Sequence, residues 1–284
     1  KICIGGRIMG YKLIACDLDE TLLNDEHLVG AKNVAAIKRA REEYGVKFVP
    51  ATGRGFMQIQ PELKELQLYD LEGEYVISFN GGALTENKNN RIIEFKGLEF
   101  SKMKEIFEAG LNFDVCIHVY TPDNLYVFNL SESERQRIKN QKLEAVYPEV
   151  NSVDFLKDTP ISKILYQNVD VPYLMSLEEG LKPITDGHCA VSYSSNRYME
   201  FNALGVDKGQ GLIDLANKLG IAIEETIAVG DNYNDMAMLK VAGLSVAANN
   251  AVDDVKAACD YTTNANNNEG VVAELIEKFI FNEI

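Results

Sequence analysis

The segment Asp17-Leu18-Asp19-Glu20-Thr21 sets two carboxylates and a hydroxyl at the end of the short apolar run Lys12-Leu13-Ile14-Ala15-Cys16. Such a run has the character of a buried central strand. Side chains alternate along a strand, so Asp17 and Asp19 are expected to point the same way. Ligands of open parallel sheets bind beyond the carboxyl ends of the strands, which is where this pair falls. Two like charges held so close repel, and a cation or a shared proton relieves them. One carboxylate then suits an oxygen nucleophile and the other a proton carrier.

An acidic turn would have the same composition, so the rest of the chain decides. Residues 46–50 read as a second strand, followed by Ala51-Thr52-Gly53-Arg54-Gly55. The Thr52 hydroxyl and the glycine-exposed amides, leading into a helix over about 55–68, form a phosphate cradle. Residues 226–230 form another buried strand, ending in Asp231-Asn232-Tyr233-Asn234-Asp235 before a helix over 236–241. A polar cluster at the end of a buried strand needs a metal or an anion to satisfy it. Lys208, in Gly205-Val206-Asp207-Lys208-Gly209, precedes a helix over 211–219. There its ammonium can join the helix N-terminus in holding an anion.

In this order, the four groups resemble the motifs of the haloacid dehalogenase superfamily phosphatases. Asp17, Asp19 and Thr21 match that family's Asp-x-Asp-x-Thr, Thr52 its Ser/Thr motif, Lys208 its Lys motif, and Asp231 with Asp235 its acidic motif. Gly230–Asp235, with Asn80-Gly81-Gly82 after a strand at 75–79, is similar to the Cof-type sugar-phosphate phosphatases. Glu20 departs from the pattern, since the family most often has Gly there, and it makes the entrance more anionic.

The resemblance implies a Rossmann-like α/β parallel-sheet core with an inserted α+β cap domain (type IIB). It implies a Mg²⁺-dependent phosphatase of small phosphorylated metabolites, sugar phosphates above all, working through an aspartyl-phosphate. Asp17 is then the nucleophile and Asp19 the general acid and base. Thr52, the Gly53 amide, Lys208 and Asn234 hold the phosphate oxygens. Asp17, the Asp19 carbonyl and Asp231 bind Mg²⁺, with Asp235 in support. A phosphomutase would use the same two aspartates and return the phosphoryl group to a sugar hydroxyl. A phospho-acceptor signalling domain also gathers Asp, Thr and Lys around Mg²⁺, but Asp19 favours turnover over a lasting phosphoryl switch. A phosphate-binding protein with an inactive site is opposed by the full set of motif residues.

The motif spacing organises the chain. Strand and helix alternate from residue 12 to about 82 and again from 205 onward, as right-handed βαβ units do. The expected core is 9–82 with 201–284, and the expected cap is 83–200. The insert has strand-like runs at 114–120, 125–128, 161–167, 188–193 and 197–201, and helical stretches near 101–111, 131–140 and 170–180. His118, Tyr120 and Glu200 are its polar candidates for substrate contact.

The 284 residues carry a net charge of −15, which opposes nucleic acid and anionic membranes and favours small-molecule partners. A phosphate ester in so acidic a protein needs local positive charge, for which Lys208, Arg54 and a divalent cation are the candidates. The cysteines (Cys3, Cys16, Cys116, Cys189, Cys259) are odd in number and scattered, which points to a reducing cytoplasm. Cys16 faces away from Asp17 and belongs to the core. No apolar run reaches the ~18–20 residues of a membrane span. Residues 1–8 are too short and interrupted for a signal peptide, and Met9 is a candidate natural start.

Overall fold

Parallel pairing joins strands from the two ends of the chain in one sheet. A computed structural model of the chain describes residues 2–4, 7–141 and 143–283. Strands β1 (Ile2–Ile4) and β2 (Arg7–Met9) form an antiparallel pair. Then come β3 (Leu13–Cys16), α1 (Ala31–Tyr44), β4 (Lys47–Pro50), α2 (Gln60–Glu65), β5 (Tyr75–Ser78), β6 (Ala83–Glu86) and β7 (Arg91–Phe95). A second run holds α3 (Phe100–Gly110), β8 (Cys116–Tyr120), β9 (Leu125–Phe128), α4 (Glu132–Asn140), β10 (Lys163–Gln167), α5 (Val171–Thr185), β11 (Cys189–Ser194) and β12 (Tyr198–Ala203). The chain ends with α6 (Lys208–Leu219), β13 (Thr226–Gly230), α7 (Met236–Val241), β14 (Leu244–Ala247), α8 (Asp253–Ala258), β15 (Tyr261–Thr262) and α9 (Val271–Ile276).

These elements make two units, residues 1–94 with 207–284, and residues 95–206. The sequence puts the crossings at 82/83 and 200/201. The first lies later because β6 pairs antiparallel with β5 and β7 extends the same sheet. The second lies later because β12 runs on to Ala203.

The first unit is built on a parallel sheet in the order β15-β14-β13-β3-β4. Its central strands are buried on both faces, which is why they read as continuous apolar runs. Alternate residues serve opposite layers. Ile14, Cys16, Phe48, Ile227 and Val229 pack with α1 and α9 through Ile37, Ala40, Val272 and Ile276. Leu13, Ala15, Val49 and Ala228 pack with α6, α7 and α8 through Leu212, Met238 and Val255. The register aligns Cys16 with Val229 and with Pro50, so the residues that follow β3, β4 and β13 emerge together at one edge.

The second unit is an antiparallel sheet in the order β11-β12-β10-β8-β9. One face packs Ile117, Val119, Ile164, Tyr166, Met199 and Phe201 against α3 and α5. The other face carries His118, Lys163, Gln167, Glu200 and Asn202, each 2–3 % exposed. Lys163 pairs with Glu200 at 2.5 Å, and Ser194 also donates to Glu200. Tyr120 lies with its ring 5.0 Å from the Lys163 ammonium. Two of the three insert candidates thus sit in a buried polar layer, and Tyr120 borders it.

The helix expected over about 55–68 is instead a 3₁₀ turn, Phe56–Ile59, followed by the short α2 with proline in its first turn. Cys16, Cys116, Cys189 and Cys259 carry free thiols, while the side chain of Cys3 lies outside the described residues. Among the described residues no helix is long and apolar enough to cross a membrane.

Candidate active site

Asp17 is the first residue beyond β3, and its amide still donates to the Val229 carbonyl at 3.0 Å. Residues Leu18–Leu22 then close a single wide turn, with Asp19 and Glu20 outside helical geometry. The strand therefore ends before Asp19, and the two aspartates are not aligned by strand alternation as expected. Asp17 turns to Lys208, whereas Asp19 turns to Arg54. Glu20 sits at φ 61°, the left-handed region, and Asn250 holds its carbonyl at 2.7 Å. That backbone explains the family's preference for Gly at this position.

Lys208 was expected ahead of its helix but is the first residue of α6. Asp207 caps the helix by accepting from the Gln210 amide at 2.8 Å. Gly209 and Gly211 do not delay the helix; they are close-packing positions against Ala237 and Ile77. The ammonium is fully buried. It donates to Asp17 Oδ1 at 2.5 Å and to Asp235 Oδ1 at 2.6 Å. The other Asp235 oxygen accepts the amides of Asp231 at 3.0 Å and Asn232 at 3.1 Å. Gly230 permits this fold-back, since a Cβ there would lie 2.5 Å from Asp235 Cγ. Thr21 donates to Asp231 Oδ1 at 2.7 Å.

Oxygens of Asp17, Asp231 and Asp235 all lie within 4.8 Å of one another. Their residues are 6, 4 and 0 % exposed, and the Lys208 ammonium pairs with two of them, Asp17 and Asp235. Burial, then the Asp235 carboxylate, push Asp17 well above the usual carboxylate range, with Lys208 opposing. Burial and then Asp235 raise Asp231 to about 7. Burial acts against the Lys208 ammonium, but Asp17 and Asp235 outweigh it and hold its pKa above the ordinary value. The site is short of positive charge, and its donors are hard oxygens. Both facts fit a small divalent cation such as Mg²⁺.

Thr52, two residues past the end of β4, is 1 % exposed. Its amide donates to the Ile77 carbonyl at 2.8 Å, and its hydroxyl oxygen accepts the Arg54 amide at 3.1 Å. Gly53 backs onto Asn80, whose Oδ1 would be 3.1 Å from a Cβ at this position. Asn234 lies half-buried in the 3₁₀ turn Tyr233–Asp235. Arg54 is not held ready for a ligand. Its Nε donates to Asp19 Oδ2 at 2.9 Å, its Nη2 donates to Asp19 Oδ1, and its Nη1 reaches Glu62 Oε1 at 2.8 Å. Sequence reasoning missed Glu62, because it belongs to no motif and follows Arg54 by eight positions within an amphipathic stretch.

A family model described as haloacid dehalogenase-like hydrolase matches residues 14–275. The putative phosphatase YxeH of Bacillus subtilis (strain 168) is 32% identical over 94% of this chain and 98% of its own length. The 5-amino-6-(5-phospho-D-ribitylamino)uracil phosphatase YcsE of the same organism is 30% identical over 92% of each. A solved haloacid dehalogenase-like hydrolase from Bacteroides thetaiotaomicron is 31% identical, covers 94% of this chain and 99% of its own, and superposes with a TM-score of 0.82. The chain belongs to the haloacid dehalogenase-like hydrolase family, as a Cof-type phosphatase.

Proposed function

We propose that the protein is a Mg²⁺-dependent phosphatase of small phosphorylated metabolites, sugar phosphates in particular, acting through an aspartyl-phosphate. The observation that carries this reading is the meeting of Asp17, Asp231 and Asp235, with the buried Lys208 ammonium paired to Asp17 and Asp235. A relative acting on a phosphorylated ribityl chain supports a polyol or sugar phosphate as substrate. The free thiols support a reducing compartment, the cytoplasm.

In this mechanism Asp17 attacks phosphorus, the P–O ester bond breaks, and Asp19 gives its proton to the leaving sugar oxygen. Asp19 then takes a proton from water as the water oxygen attacks phosphorus. The Asp17–phosphorus bond breaks and inorganic phosphate leaves. Lys208 fixes the orientation of Asp17 through Oδ1. Thr52, the Gly53 amide, Lys208 and Asn234 hold the non-bridging oxygens. Asp17, the Asp19 carbonyl and Asp231 would hold Mg²⁺. Asp235, whose oxygens are engaged by Lys208 and two amides, would shape that site from behind. When bound, the cation neutralises the surplus carboxylate charge and the charge on the phosphate.

A panel of phosphorylated sugars, polyols, nucleotides and cofactors, assayed for phosphate release with and without Mg²⁺, tests the reading. Release that is Mg²⁺-dependent and strongest on sugar or polyol phosphates is expected. No release from any ester would refute it.

A further inference from the structure

Arg54 presents two edges, and two carboxylates divide them. Its Nε and Nη2 take Asp19, and its Nη1 takes Glu62 at 2.8 Å. The Asp19 side chain is 36% exposed and that of Arg54 14%. An exposed carboxyl group rotates freely unless something fixes both of its oxygens, and a guanidinium fork does so. The fork orients Asp19 only if it is itself held, and Glu62, in the first turn of α2, holds it.

Stability does not account for Glu62. Its side chain is 9% exposed, and its Oε2 is buried without a hydrogen-bond partner. A buried carboxylate with an idle oxygen is costly, and an apolar residue of similar volume commonly serves the fold as well. Its neighbour Leu63 shows that apolar packing is available on this helix, since it lies in the core.

We infer that Glu62 is a positioning residue for the proton transfer of Asp19: it anchors Arg54 so that the Nε–Nη2 edge faces Asp19 and fixes that carboxyl group. The inference rests on the phosphatase reading above. Glu62 touches no reacting atom and acts only through Arg54. Its effect therefore scales with how much the leaving group needs a proton. A sugar alkoxide needs one, whereas a p-nitrophenolate leaves without it.

The test compares Glu62→Gln and Glu62→Ala with the wild type, each with Mg²⁺, on a sugar phosphate and on p-nitrophenyl phosphate. Both changes are repeated in an Asp19→Asn background. The expected result is a kcat/KM loss of about tenfold on the sugar phosphate, a fraction of the ~10²–10⁴ that general acid catalysis supplies. The aryl phosphate kcat/KM should stay within about twofold, because that constant ends at leaving-group departure and p-nitrophenolate takes no proton. The later proton transfer from water is common to both esters and does not enter it. In the Asp19→Asn background the second substitution should cost nothing more, since two residues acting as one unit are not additive. Equal kcat/KM losses on both substrates, full additivity, or unchanged kcat/KM in the folded variants would each overturn the inference. Glu62→Gln preserves the side chain's shape and decides alone if Glu62→Ala does not melt cooperatively. A wild type inert on every ester would overturn the phosphatase reading, and the inference with it. An active wild type with flat variants would overturn the inference alone.

Discussion

Both units bury charge, but they balance it differently. In the first unit Asp17, Asp231 and Asp235 lie together, and the Lys208 ammonium pairs with two of them, Asp17 and Asp235. In the second, Lys163 meets Glu200 at 2.5 Å and Arg197 meets Glu134 at 2.8 Å, one cation to one anion. Tyr198 also donates to Glu134 at 2.7 Å. Burial of charge is therefore no mark of a reaction centre by itself. Imbalance is the mark, because a fold gains nothing from like charges that it must hold together against repulsion.

The largest effect that could break this comparison is on turnover. Asp17→Asn removes the proposed nucleophile and one carboxylate of the cluster. Phosphate release should fall by several orders of magnitude, while the melting temperature in the absence of metal holds or rises. Retention of more than roughly a few per cent of wild-type kcat would remove Asp17 from the nucleophile's place.

Balanced charge should answer in the opposite way. Lys163→Met leaves Glu200 buried without its cation and should cost about 3–5 kcal/mol, the usual penalty for breaking a buried pair. Hydrogen exchange at the β10 and β12 amides under increasing urea would read it. A cost below about 1 kcal/mol, within the range of an exposed pair, would mean that this pair is not what the second unit depends on.

His118 sharpens the comparison through pH. It faces Lys163 on β10, Tyr120 on its own strand, and Arg197 and Tyr198 at the start of β12. Glu134 on α4 is 3.5 Å from its Nε2. Burial, then Lys163 and Arg197, lower its pKa to about 3, so the imidazole stays neutral beside Glu134. Below about pH 6.5 the unfolded chain takes up a proton that the folded chain refuses until about pH 3. Stability accordingly falls as pH drops through that window, by at most about 1.4 kcal/mol per pH unit for this one proton. His118→Gln should flatten that slope in second-unit exchange. An unchanged slope would show that His118 is charged in the folded state.

The smallest effect belongs to Glu20. Replacing it by glycine should relieve its left-handed backbone and raise stability by about 1 kcal/mol, readable as a higher melting temperature. A lower one would show that the Glu20 side chain contributes more than its backbone costs.

The strands were legible where apolar and β-branched residues run together. β3, β4, β5 and β13 appear as apolar runs because no side of them meets water. β6 and β7 were not recognised, since Ala83-Leu84-Thr85-Glu86 and Arg91-Ile92-Ile93-Glu94-Phe95 are mixed in character and belong to a small antiparallel sheet. The residues Asp17, Thr52, Lys208, Asp231 and Asp235 were legible as types at strand and helix ends. Their partners were not. Lys208 and Asp17 stand 191 positions apart, and nothing local announces that they meet. Glu62 was invisible for a related reason, because an acidic residue in the first turn of a helix is ordinary.

The sheet order has a consequence for biosynthesis. β3 is flanked by β4, made soon after it, and by β13, and Thr21 and Asp231 at their ends are 210 residues apart. At ~5–20 residues per second, the nascent central strand waits roughly 10–40 s for its second neighbour. Throughout that interval one edge of an apolar strand stands open, the kind of surface that chaperones cover and that aggregation recruits. The second unit completes its own sheet from contiguous chain in the meantime. A chain released just before Thr226 would therefore present a finished insert on an unfinished host, and factors that bind unpaired strand edges should be found on such truncated chains.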